Sequence, residues 1–151
     1  MKKYILAVAL VVVAMAGSAM AAGTQTVAVS ATVVGVCQFL TGGTMAFTLN
    51  PSVGGDVAGT AVQPTFWCTR GTTAAITDNN GLHFSGTSRR MQHASSATDF
   101  IPYSFTYTAS SAGSGRNTTI TMDLASTVVA ADYLDALAGN YADTVTLTIN
   151  P

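Results

Sequence analysis

Between Thr144 and Ile149 the chain alternates without interruption, with threonine at 144, 146 and 148 and with Val145, Leu147 and Ile149 between them. A period of two puts the three apolar side chains on one face of an extended segment and the threonines on the other, the pattern of a half-buried β-strand. The sequence stops at Pro151, so this apolar face expects cover from elsewhere. A second alternating segment lies near the other end, where Val27, Val29, Ala31 and Val33 share one face ahead of Cys37. A domain with an uncovered strand at one end and a spare strand at the other is expected to be completed by another copy. That is a plan for assembly rather than for catalysis.

Lys2 and Lys3 precede an apolar run from Tyr4 to Ala16, and Ala19-Met20-Ala21 supplies a small-x-small cleavage pattern. Residues 1–21 therefore read as a secretory signal peptide. The run falls short of the roughly 20 apolar residues that a membrane-spanning helix needs. Its removal leaves 151 less 21, or 130 residues, one domain's worth. Both lysines leave with it, so four arginines face seven aspartates, a formal balance of −3 with no glutamate. Such a sparse, slightly acidic surface has no basic footprint for nucleic acid or an anionic membrane. Threonine, serine, asparagine and glycine must cover the solvent faces, and threonine suits strands better than helices.

Cys37 and Cys68 are the two cysteines of an exported chain, so they are expected to form one disulfide in an oxidising compartment. Neither a C-x-x-C pair nor a second cysteine pair points to redox or zinc chemistry.

Thr24 to Val36 reads as one long extended segment. It divides into a free arm over residues 22–30 and a domain over residues 31–151 whose first strand runs from about Ala31 to Phe39. Met45, Phe47 and Leu49 alternate inward, and the next strand carries Phe66, Trp67 and Cys68, with Trp67 expected to pack over the disulfide. Asn79-Asn80-Gly81 predicts a hairpin turn between Ile76 and the apolar pair Leu82 and Phe84. Arg89 and Arg90, on a short strand, read as guards against unwanted edge pairing. Ile101, Tyr103, Phe105 and Tyr107 mark an inner strand, and Ile120, Met122 and Leu124 another; residues 128–139 read as strand, then loop. Several short strands punctuated by Gly, Asn and Ser make an all-β sandwich.

Catalytic and metal chemistry find little support. There is no G-x-S-x-G elbow for a nucleophilic serine. Without glutamate, a paired-carboxylate hydrolase would depend on aspartates alone. Asp132, Asp135 and Asp143 lack the tight alternate spacing of a calcium loop, and His83 with His93 is two ligands short of a zinc site. The chain is read as a non-enzyme with no cofactor and no metal.

The stretch Gly139-Asn-Tyr-Ala-Asp-Thr-Val-Thr-Leu-Thr-Ile149, with the arm Val27-Ala-Val-Ser-Ala-Thr-Val33, Cys68 after Trp67, and Arg90-Met91 upstream of Tyr103, closely resembles the spore coat protein U domain family, secreted subunits of archaic chaperone–usher pili. The resemblance covers essentially the whole mature chain, and its G-x-Y-x-D-T-V-T-x-T-x pattern is the most specific part. The 132–137 loop departs from it. The resemblance implies an incomplete immunoglobulin-like β-sandwich, completed by a donor strand from a neighbouring subunit. It implies three partners: a periplasmic chaperone, an outer-membrane usher, and other copies of this chain or related pilus subunits. Localisation would be the periplasm and then a cell-surface pilus serving adhesion and biofilm formation. Val27, Val29, Ala31 and Val33 would be the donor residues, and Val145, Leu147 and Ile149 the acceptor groove and chaperone edge. An arm with one domain suits a shaft or adaptor subunit rather than a tip. The rival from another class is a self-contained secreted binding or coat-layer module, which would purify as a stable monomer without a chaperone.

Overall fold

Cys37 and Cys68 are joined by a disulfide, as expected, with their Cα atoms 4.1 Å apart on directly opposed positions of two antiparallel strands. The computed structural model describes residues 22–151, and the predicted signal peptide lies outside the described residues. The chain divides into two units, a leading one ending at Thr32 and a body from Val33 to Pro151. In the leading unit residues 22–32 form no strand and are exposed, Val27 by 81% and Val29 by 90%.

The body opens with β1 (Cys37–Thr41), later than the expected start near Ala31. The alternation of Ala31 and Val33 is real, but alternation becomes a strand only where a ladder partner exists. Pairing begins at Val36, whose amide donates to Thr69 Oγ1 and whose carbonyl accepts from the Thr69 amide. Next come β2 (Thr44–Ala46), β3 (Val57–Ala58), β4 (Thr60–Val62) and β5 (Thr65–Cys68). Pro64, with no N–H to give, separates β4 from β5. The Gln63 side chain takes over the ladder there, accepting from the Leu124 amide at 2.5 Å and donating to the Leu124 carbonyl at 3.1 Å.

After β6 (Thr73–Asp78) the chain turns at Asn80 and Gly81, both with positive φ. The predicted hairpin does not close, because Leu82 and Phe84 stay outside any strand and the chain returns only as β7 (Arg89–His93), which pairs elsewhere. The long inner run divides into β8 (Phe100–Tyr103), β9 (Thr106–Tyr107) and β10 (Ser110–Ala112), each with a different partner, while Tyr103, Phe105 and Tyr107 keep their shared face. The return leg is β11 (Ile120–Thr121), β12 (Leu124–Ala125) and β13 (Thr127–Val128), in which Met122, Leu124 and Val128 are buried. Beyond β13 the expected loop contains a 3-10 turn at Ala130–Asp132, followed by β14 (Tyr141–Ala142) and β15 (Leu147–Asn150).

The strand orders are β1-β5-β11, β10-β6-β15, β14-β7-β8 and the pairs β12-β9, β13-β3 and β2-β4, all antiparallel. The all-β fold class is as expected. One core cluster gathers Phe66, Cys68, Ala74, Ile76, Met122 and Leu124, with Phe39 edge-on to Phe66 at 6.1 Å. A second holds Ile101, Val128 and Tyr133. Trp67 belongs to neither. Alternation along β5 turns Phe66 and Cys68 inward and Trp67 outward, where the Arg116 guanidinium lies 5.8 Å from its ring. The β7 strand is central in its sheet, so Arg89 and Arg90 are not edge guards. Arg89 pairs with Asp78, and Arg90 lies on the Phe100 ring at 4.2 Å.

Candidate functional site

Among the strands of the body that are paired on one side only are β1, whose ladder partner is β5, and β15, whose partner is β6. Between them lies an open trough of about 750 Å³. Phe39, Leu40 and Thr41 of β1 form one wall, Val145 and Leu147 the other, and Met45, Phe105 and Leu124 lie along it. A second stretch of about 530 Å³ shares Met45, Phe47, Met91 and Tyr141 with the first and carries the trough on to Tyr133 and Leu137. Its lining is thus the exposed side of the two core clusters.

Val145, Leu147 and Ile149 are half-buried while Thr144, Thr146 and Thr148 are exposed, so one face of this segment is turned inward. Val145 and Leu147 line the trough; Ile149 pairs with Ile76 and packs into the first core cluster beyond it. The four donor candidates Val27, Val29, Ala31 and Val33 are all exposed. The sequence reading missed the opposite wall, Phe39 with Leu40, and the floor residues Met91 and Leu124. The inward alternation of Met45 with Phe47 and of Tyr103 with Phe105 was the available signal. It identifies a buried face but not which part of that face lacks a covering strand.

The wall is fixed by one carboxylate. Asp143, its side chain 3% exposed, accepts the Tyr103 hydroxyl at 2.6 Å on Oδ2. Its Oδ1 accepts the Leu82 amide at 2.9 Å and the His83 amide at 3.3 Å, and lies 3.2 Å from His83 Nδ1. Burial pushes the Asp143 pKa up, but hydrogen bonds from Tyr103 and from the Thr144, Leu82 and His83 amides outweigh it and hold the carboxyl below its ordinary value. The Tyr103 hydroxyl is pushed well above its own, by burial and then by the Asp143 charge. A Cβ at Gly81, where φ is 92°, would collide with this carboxylate, so glycine is required there for space as well as for conformation.

Next along the wall, Arg89 Nη2 grips both oxygens of Asp78 at 2.8 and 3.0 Å, with its guanidinium 5.6 Å from the Phe105 ring. Burial opposes ionisation of Asp78, yet Arg89, Tyr107 and the Asn80 amide keep its pKa low. His93 is buried edge-on against Tyr141 at 4.9 Å, and its Nδ1 accepts the Ser95 amide. A Cβ at Gly139 would strike the His93 ring. The glycine, tyrosine and aspartate of the G-x-Y-x-D segment are therefore the fittings that set the last strand against the body.

The charged groups Asp143, Asp78 and Arg89 along this wall are absorbed in structural contacts, and no three His, Cys, Asp or Glu side chains among the described residues converge as a metal site. What the trough presents is a row of apolar side chains set among polar backbone and hydroxyl groups and flanked by two backbone edges, which suits an extended segment with apolar residues at alternate positions. No helix among the described residues is long and apolar enough to cross a membrane.

The family model of the Spore Coat Protein U domain matches residues 23–148. No curated protein matches the chain. A similar solved structure is the CsuC–CsuE chaperone–tip adhesion subunit pre-assembly complex from archaic chaperone–usher Csu pili of Acinetobacter baumannii, at 22% identity and a TM-score of 0.49, with 78% of this chain and 40% of that chain covered.

Proposed function

We propose, from the premise that the chain belongs to the Spore Coat Protein U domain family, that it is a structural subunit of a chaperone–usher pilus and polymerises by donor-strand exchange. The observation that carries this reading is the open trough between two one-sided strands, β1 and β15, with Phe39, Met45, Phe105, Leu124, Val145 and Leu147 in its lining. A strand added there gains main-chain hydrogen bonds along its length and side-chain burial at every second position. The arm over residues 22–30 and its continuation to Val33 has that form, with Val27, Val29, Ala31 and Val33 on one face. Moving its three valines and one alanine from water into the trough yields on the order of 5 to 8 kcal/mol as an upper bound. Backbone bonds at about 1 kcal/mol each add a comparable amount.

On this reading a periplasmic chaperone holds the trough first, an outer-membrane usher catalyses the exchange, and a second copy or a related subunit supplies the arm. The signal peptide over residues 1–21 delivers the chain to the periplasm, and the finished fibre serves adhesion and biofilm formation at the cell surface. Removing residues 22–29 tests it. The truncated subunit should still fold with its disulfide and co-purify with its chaperone, while electron microscopy shows no fibres. Normal fibres, or loss of the chaperone complex itself, would overturn the assignment of the arm.

A further inference from the structure

Four charges without an ion-pair partner among the described residues stand at the two ends of the body, two at each, while Asp123, opposite Thr108, lies between them. The inner run from Phe100 to Ala112 defines the long direction, since β8 lies beside β7 at one end and β10 beside the start of β6 at the other. The Ala112 end holds the disulfide, with Gly115 donating to the Cys68 carbonyl and Gly71 to the Gly113 carbonyl. The opposite end is closed by Tyr133, whose hydroxyl donates to the Gly55 carbonyl, and by Asp56, which accepts the Ala130 amide. Of the four arginines, Arg89 is held by Asp78 and Arg90 by Phe100 and the His83 carbonyl. Arg70 and Arg116 are exposed at the disulfide end, with no acidic partner among the described residues. Asp132 and Asp135 are exposed at the Tyr133 end, equally unpaired, beside Leu134 and Leu137, which are 40% and 51% exposed.

We infer that Arg70 and Arg116 of one copy dock on Asp132 and Asp135 of the next, a second junction that fixes how consecutive copies stack. This rests on the donor-strand reading and adds a contact outside the trough. The two walls of the trough run in opposite directions, β1 from Cys37 at the disulfide end to Thr41 and β15 toward that end, so an arm between them is antiparallel to one wall and parallel to the other. From Leu147, opposite Asp78, to Asn150, opposite Ala75, β15 runs toward the disulfide end. Only an arm antiparallel to β15 brings opposite charges together: its trailing end leaves the trough at Tyr133 and Leu137, whereas the reverse direction would set arginine end against arginine end. In the donor copy that trailing end joins the body at Val36, which is bonded to Thr69 next to Arg70. The donor's arginine end is thereby set against the acceptor's aspartate end. Apolar surface also meets apolar surface, since Val34 and Val36 at the arginine end are 71% and 42% exposed. The two patches differ, so the contact is heterologous and repeats without closing.

A charge swap on purified subunits released from their chaperone tests the junction, with polymerisation followed by light scattering. Arg70→Asp with Arg116→Asp should slow growth about five-fold, the factor expected for two exposed ion pairs, and so should Asp132→Arg with Asp135→Arg. All four changes together should restore it, whereas Arg70→Lys with Arg116→Lys should stay near the unaltered rate. Unchanged growth in both reversed pairs, or a four-fold variant no faster than either, would overturn the junction while arm-dependent polymerisation stood. Growth of the chain lacking residues 22–29 would overturn the donor-strand reading beneath it. Should a reversed pair fail to fold, the unaltered chain decides: growth must slow at about 1 M salt, where the Debye length is about 3 Å, and salt-independent growth counts against the junction.

Discussion

Asp143 shows how much one side chain can carry in a chain with so few charges. Its two oxygens tie the turn at Leu82 and His83 to Tyr103 and to the segment leading into the last strand. Asp143→Ala would leave several donors facing a void, and we expect a loss of about 2 to 4 kcal/mol by urea denaturation, where a surface aspartate would cost almost nothing. Asp143→Asn keeps the volume but removes the charge, so the Tyr103 hydroxyl should titrate closer to an ordinary phenol in tyrosinate absorbance difference spectra. The motif position was legible in the sequence. Its role was not, because Leu82 and Tyr103 are 61 and 40 residues away and only the folded chain brings them to it.

At the scale of the element, the last strand is governed by its two-residue period. Leu147 faces the trough and Thr148 faces solvent. Leu147→Asp sets an unpaired carboxylate in apolar surroundings at a cost of several kcal/mol. We expect chaperone co-purification and fibre formation to fall sharply, with Thr148→Asp close to unaltered in both assays. Equal effects of the two would mean that the register is wrong by one residue. The same period was less informative elsewhere. It located the inward faces of residues 45–49 and 103–107 correctly, yet it extended the first strand upstream of Cys37 and suggested a hairpin after Ile76. In both places the side-chain pattern was satisfied but the hydrogen-bond partner lay elsewhere, and single-strand periodicity carries no information about partners.

For the molecule as a whole, the disulfide and the buried carboxylates set stability. Cys68→Ser opens a crosslink across a sequence separation of 31, worth about 3 to 4 kcal/mol in the chain-entropy model. Periplasmic yield of the subunit should drop accordingly. Asp78 and Asp143 have folded-state pKa values depressed below the ordinary aspartate value of 3.8, so their contribution is present above that pH and is lost as pH falls through the lower folded values. Tyr103 and Tyr107 are raised above 10.0, so theirs is present below pH 10 and is lost as pH climbs toward the folded values. Unfolding free energy against pH should therefore fall at both extremes, and Asp143→Asn should flatten the acid limb. The sequence alone determined the all-β class, the disulfide and the inward face of the last strand, because these follow from composition and from a local period of two. The tertiary structure alone decided that Phe39 and Leu40 face Val145 and Leu147 across an open trough, that Asp143 anchors the wall, and that Arg70 and Arg116 stand at one end with Asp132 and Asp135 at the other. Each of those depends on contacts between distant segments, and in a sheet built of many short strands the choice of partner is made by the whole chain.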